Sequence, residues 1–129
     1  MYHCQVRFYF IGAQPELFAP LKEMPPLEAF THEFWESAAP EKSLGAKADV
    51  ILADLRNKNA AETLRTLNTW KKAEAELILL TEKEQTEALS DLLAEITDIW
   101  TLPMSAAELR FHFLRWQQTH KIRRDYWQT

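Results

Sequence analysis

The sequence predicts an α/β fold: a three-layer sandwich in which five parallel strands are covered by helices on both faces. Two observations carry this. Short apolar runs rich in β-branched and aromatic residues alternate along the chain with segments of helical periodicity. The clearest of those runs, ADVILADL and ELILL, are apolar on consecutive residues, as strands buried on both sides are. Length agrees, since 129 residues is close to the commonest size for one domain.

The elements follow in order. Val6 to Ile11 (VRFYFI) reads as strand one, ended by Gly12. Leu17, Leu21 and Met24 have helical spacing after Pro15, which suits a first turn, while Pro20 makes this helix short or kinked. Pro25-Pro26 stops it. Leu27 to Trp35 (LEAFTHEFW) reads as strand two, with imperfect alternation, and residues 36–47 read as a loop with one helical turn. Ala48 to Leu55 is strand three, Ala60 to Lys72 a helix with Leu64 and Leu67 inward, and Glu76 to Leu80 strand four. Leu89, Leu92, Leu93 and Ile96 at i, i+3, i+4, i+7 predict a helix from Glu84 to Ile96. Asp98 to Leu102 is strand five, stopped by Pro103. Ser105 and Glu108 have capping-box spacing ahead of an uninterrupted helix from Ala106 to about Trp127, about 33 Å long at the standard rise. Right-handed crossovers then make the flavodoxin-like strand order 2-1-3-4-5 the economical topology.

Composition narrows the function. Only two glycines occur, which argues against glycine-rich phosphate loops. The net charge of −4 gives no broad basic surface for nucleic acid. That total divides into +3 from residue 115 onward and −7 on the rest, so a basic end follows an acidic body. Cys4 is the lone cysteine, and a single thiol fits a reducing compartment. Neither a signal peptide nor a membrane span is legible. The expectation is a cytoplasmic protein.

In an open α/β sheet, ligands bind at the carboxyl ends of the strands. Gly12, Ala13 and Gln14 follow strand one, Asp54 ends strand three, Thr81 and Glu82 end strand four, and Leu102-Pro103-Met104-Ser105 end strand five. From Val6 to about Trp116 the chain resembles the receiver (CheY-like) domain of two-component response regulators. ADVILADL places Asp54 at that family's phosphoacceptor position, ELILLT places Thr81 at its switch hydroxyl, and TLPMSAAEL resembles its Lys-Pro turn and following helix. The resemblance implies a phosphoryl-accepting aspartate, an acidic pair after strand one that helps hold Mg²⁺, and a lysine before a usually cis proline.

The sequence departs from that pattern. Gly12 and Ala13 stand near the acidic pair, and Leu102 stands at the lysine, so Asp54, Thr81, Leu102 and Pro103 read as a vestigial site. Mg²⁺ prefers several oxygen ligands, and phosphoryl transfer needs its charge neutralised. One carboxylate is a poor site, although Glu16 or Glu82 could serve as a ligand. The simpler expectation is that Asp54 pairs with loop N–H groups, Arg56 or Lys58, and that Thr81 caps the next helix.

His3, His32, His112 and His120 do not cluster, so no zinc site is expected, and no cofactor. On the last helix Leu109, Phe113 and Trp116 form a stripe suited to packing on the sheet. Beyond it His120, Arg123, Tyr126 and Trp127 combine charge with bulky aromatics, which suits a partner helix or a downstream domain. KIRRDYWQT also resembles the junction before a PAS domain in bacterial diguanylate cyclases that carry a GGDEF domain.

These readings divide the chain into a receiver-like domain, 1–116, and a helical linker, 117–129, leading to an output domain of the same protein. The expected function is a non-catalytic regulatory and dimerisation module, a homodimer acting through its last helix, with neither nucleic acid nor membrane as partner. Two alternatives stand beside it: a working atypical receiver phosphorylated on Asp54, and a small-molecule sensor using an apolar strand-end pocket.

Overall fold

The computed structural model describes residues 4–26, 30–56 and 58–128, with side chains for all of these except 4, 93, 95 and 120–128. Five parallel strands form one sheet in the order β2-β1-β3-β4-β5. They are β1 (Cys4–Ile11), β2 (Phe30–Ser37), β3 (Val50–Asp54), β4 (Glu76–Glu82) and β5 (Asp98–Leu102). The helices are α1 (Ala19–Lys22), α2 (Lys42–Gly45), α3 (Ala60–Trp70), α4 (Gln85–Ala88) and α5 (Ala106–Gln128), with 3-10 turns at Pro15–Leu17 and Ser90–Glu95.

Strand periodicity divides the core in two. Along β1, Val6, Phe8 and Phe10 point to one face, where Phe18 at the start of α1, Leu21 within it, and Leu109 and Phe113 of α5 cover them. Tyr9 and Ile11 point to the other, beneath Leu64 and Leu67 of α3 and Leu89 after α4. Every residue of β3 is buried, because the central strand has a helical layer on each side. Helices on both faces give the three layers the sequence predicted, with the predicted strand order.

Local rules explain most boundaries. Pro20 falls in the first turn of α1, where a missing N–H costs nothing, so the first helix is short. Asn59 caps α3 by accepting from the Glu62 N–H at 3.0 Å. The capping box of α5 forms in full: Glu108 N–H donates to Ser105 Oγ at 3.1 Å, and Ser105 N–H donates to Glu108 Oε1 at 3.2 Å. α5 then runs unbroken to Gln128, one residue past the expected end.

Several ends shift by two residues or fewer, with β1 starting at Cys4, β3 spanning Val50–Asp54, β4 reaching Glu82 and α3 ending at Trp70, and two segments differ more. Strand two runs Phe30–Ser37 rather than from Leu27 to Trp35, and residues 27–29 lie outside the described set. The predicted helix from Glu84 to Ile96 is α4 followed by a 3-10 stretch. Ser90 Oγ donates to the Glu87 carbonyl at 2.9 Å, and Leu92 N–H bonds three residues back to Leu89. A serine that bonds its own backbone competes with the α-helical ladder. The i, i+3 pair Leu89–Leu92 seats its apolar edge on the core equally well with three residues per turn.

Candidate functional site: a strand-end carboxylate closed by arginine

The carboxyl ends of β1, β3 and β4 converge on Asp54, which is 6% exposed. Its neighbour on the β1 side is Gly12. A Cβ placed on Gly12 would stand 3.1 Å from Asp54 Cβ and 3.3 Å from the Phe18 ring. A side chain at 12 would thus be tight, and Asp54 and Phe18 would have to give by a few tenths of an ångström to admit one. With Ala13 beside it, the β1 end supplies no carboxylate.

Arg56 is the partner that engages Asp54. Two residues after Asp54, the chain turns so that the Arg56 backbone N–H donates to Asp54 Oδ1 at 3.1 Å. The side chain folds back in the same direction. Its Nε donates to Oδ1 at 3.0 Å and its Nη2 to Oδ2 at 2.8 Å, a two-point guanidinium–carboxylate pair. Nη2 also donates to Gln14 Oε1 at 3.0 Å. The hydrogen bond to Asp54 raises the Arg56 pKa above its ordinary value, against partial desolvation, so the cation is permanent.

Mg²⁺ does not fit this donor set. Both oxygens of Asp54 are engaged by a fixed cation, and positions 12 and 13 offer no ligand. Glu82 lines the same cavity of about 300 Å³ with Ala13, Gln14, Asp54, Arg56 and Lys58, whereas Glu16 is not among its lining residues. Among the described residues, no group of three or more His, Cys, Asp or Glu side chains could hold a metal ion.

The other predicted site residues fall around this centre with different outcomes. Asp54 pairs with Arg56 as expected, while Lys58 reaches the Ala38 carbonyl at 3.3 Å instead. Thr81 is fully buried and does not cap the next helix: its hydroxyl has no hydrogen-bond partner, and α4 has no side-chain cap. Gln85, in the first turn of α4, ties the loops instead. Its Oε1 accepts from the Glu82 N–H at 2.8 Å and its Nε2 donates to the Leu55 carbonyl at 2.6 Å, tying the loop after β4 to the loop after β3. Nothing in the linear sequence marks Gln85, because the tie exists only where two loops meet. Leu102 is buried and precedes Pro103 through a cis peptide bond. The strand ends carry two different cavities: the one at Asp54 is polar, lined by Asp54, Arg56, Lys58 and Glu82, whereas one of about 330 Å³ at the end of β1 is lined mostly by apolar groups, among them Phe10, Gly12, Ala13, Pro15 and Phe18.

The second predicted group lies on α5. Phe113 is fully buried, with its ring 5.1 Å from Phe8, and Trp116 meets Phe8 edge-on at 5.5 Å. The Trp116 indole donates to Glu76, and the Trp100 indole donates to Asp98. On the outer side of α5, Phe111 is 59% and Leu114 36% exposed. His120, Arg123, Tyr126 and Trp127 are on the same helix, and their side chains lie outside the described set. No helix of the described residues is long and apolar enough to cross a membrane.

Strand order, layers and the placement of Asp54 define the flavodoxin-like receiver fold. Solved structures agree. A CpaE2 pilus assembly protein from Sinorhizobium meliloti superposes with a TM-score of 0.61 at 13% identity, covering 84% of this chain and 98% of that one. CpaE from Caulobacter crescentus, also a pilus assembly protein, gives 0.61 at 7% identity, over 88% and 94%. A response regulator receiver domain from Clostridium thermocellum gives 0.59 at 14% identity, over 91% and 98%. At these identities the likeness is one of fold. No protein-family model matches the sequence, and no curated protein matches it.

Proposed function

We propose that this chain is a pseudo-receiver: a non-catalytic regulatory module of a bacterial signalling protein that self-associates and acts on an output domain through α5. The observation that carries the reading is the Arg56–Asp54 pair. A phosphoacceptor must present a free carboxylate oxygen beside a metal, and here both oxygens face a tethered guanidinium. The fold neighbours support the setting, since one is a response regulator receiver domain and two are pilus assembly proteins. The chain offers no catalytic residue in this reading.

The deciding experiment is a titration of the chain with Mg²⁺ and beryllofluoride, followed by amide NMR. Unmoved resonances around Asp54 and Thr81 are expected. Saturable shifts there would overturn the reading in favour of a working receiver phosphorylated on Asp54.

Self-association rests on the outer side of α5, where Phe111 and Leu114 are exposed one turn apart. Equilibrium sedimentation is expected to show a dimer that Phe111→Ser with Leu114→Ser weakens at least tenfold. A strict monomer at high concentration removes this part of the reading. The resemblance of KIRRDYWQT to a PAS/GGDEF junction points to a diguanylate cyclase as the output, and the lone Cys4 fits a cytoplasmic setting.

A further inference from the structure

α5 meets the sheet at an aromatic cluster that contains one ionisable ring. His32 of β2 stands opposite Val6 of β1 in register. Its ring lies 4.9 Å from Phe8, 5.7 Å from Phe34 and 6.1 Å from Phe113 of α5, edge-on to all three. Its Nδ1 is buried without a hydrogen-bond partner. One helical turn beyond Phe113, Gln117 is 4% exposed, and neither its Oε1 nor its Nε2 has a partner. Buried polar atoms are nearly always paired. Three that are not, on two elements that pack through the same phenylalanine, call for a reason.

The surroundings of His32 are apolar. Val6 and Phe8 face it from β1 and Phe113 from α5. Along its own face of β2 come Phe34 and then Glu36, which is ion-paired with Lys22 of α1 at 2.5 Å. Glu76 of β4 is held by the Trp116 indole, and His112 of α5 stands against Trp100. Burial lowers the His32 pKa below its ordinary value.

We propose that His32 and Gln117 form a proton-operated latch between β2 and α5. Its chemistry stands on these side chains alone, and only its signalling use rests on the reading of α5 as the transmitting helix. In the neutral state the ring packs as an apolar group and the Gln117 amide stays unbonded. When a solvent proton binds, both ring nitrogens carry hydrogen, and Nδ1–H must find an acceptor. Gln117 Oε1 is a buried acceptor with its bonding capacity unused, on the helix that packs over the ring. Making that bond turns the Gln117 side chain and re-seats Phe113 and Trp116. α5 thereby acquires two packings, chosen by pH.

The test is a pH titration of the full chain by NMR, reading the His32 ring nitrogens, the Gln117 side-chain amide and the Phe113 and Trp116 ring signals. One shared midpoint below the ordinary histidine value is expected. Gln117→Met, which keeps the volume and removes the acceptor, should lower the His32 midpoint by about half a unit, roughly a threefold loss of proton affinity, and leave the aromatic signals still. His32→Phe should abolish the transition at Gln117. A His32 titration during which the Gln117 and Phe113 signals stay fixed overturns the latch, as does an unchanged midpoint in Gln117→Met. None of these readouts involves Asp54, so the latch and the pseudo-receiver reading can fail separately.

Discussion

Asp54 shows how one side chain two positions away can redirect a residue's chemistry. Its carboxylate is nearly inaccessible, and the guanidinium that engages it is itself mostly covered, at 27% side-chain exposure. Removing the cation strands a buried charge, which costs far more than losing a surface pair. Arg56→Ala is therefore expected to destabilise the fold by about 1–3 kcal/mol in urea denaturation, and Arg56→Lys to recover only part of this because a lysine cannot bond two oxygens in a plane. Thr81 predicts the opposite sign. Its hydroxyl is buried and unbonded, so Thr81→Val is expected to be neutral or stabilising by up to about 1 kcal/mol. His32 sets a pH dependence. Its folded pKa is lowered, so below pH about 6.5 the unfolded chain binds a proton that the folded one refuses. The contribution of His32 is thus fully present above pH about 6.5 and is lost as pH falls toward the folded pKa. Comparing the unfolding free energy of the parent chain with that of His32→Phe between about pH 7.5 and 5.5 should isolate this slope.

At the scale of elements, agreement between sequence and structure follows the range of the forces involved. The α5 capping box, the Asn59 cap and the short α1 depend on contacts within a turn or two, and the residues that make them are adjacent in sequence. Ser105→Ala is expected to cost about 1 kcal/mol, read by thermal or urea denaturation, because it leaves an N-terminal N–H of α5 without an acceptor. The segment from Glu84 to Ile96 was legible as apolar on one edge but not as 3-10 in its second half. Leu89 and Leu92 satisfy either winding, and the choice fell to the backbone bond from Ser90 and to the fit of Leu92 and Ile96 on the core.

For the whole molecule, Phe8 is where the layers join. It is fully buried in β1, beside Phe34 and His32 of β2 and beneath Phe113 and Trp116 of α5. Phe8→Ala should cost about 3–5 kcal/mol, a large share of the total stability of a domain this size, and should free α5 from the sheet along with the edge strand. Hydrogen exchange across α5 would report that release.

The sequence by itself determined the five strands, their order and a sheet covered by helices on both faces. Alternation along a strand decides which residues share a face, and chain connectivity decides which strands can neighbour, so both are written locally. It also showed Gly12, Ala13 and Leu102 at the positions where the receiver pattern it resembles has an acidic pair and a lysine. Only the tertiary structure decided what surrounds Asp54. Arg56 could have pointed to solvent, Thr81 could have capped a helix, and Gln85 carries no mark of its role. Their partners come from loops after different strands, and such contacts exist only once the sheet has brought the strand ends together.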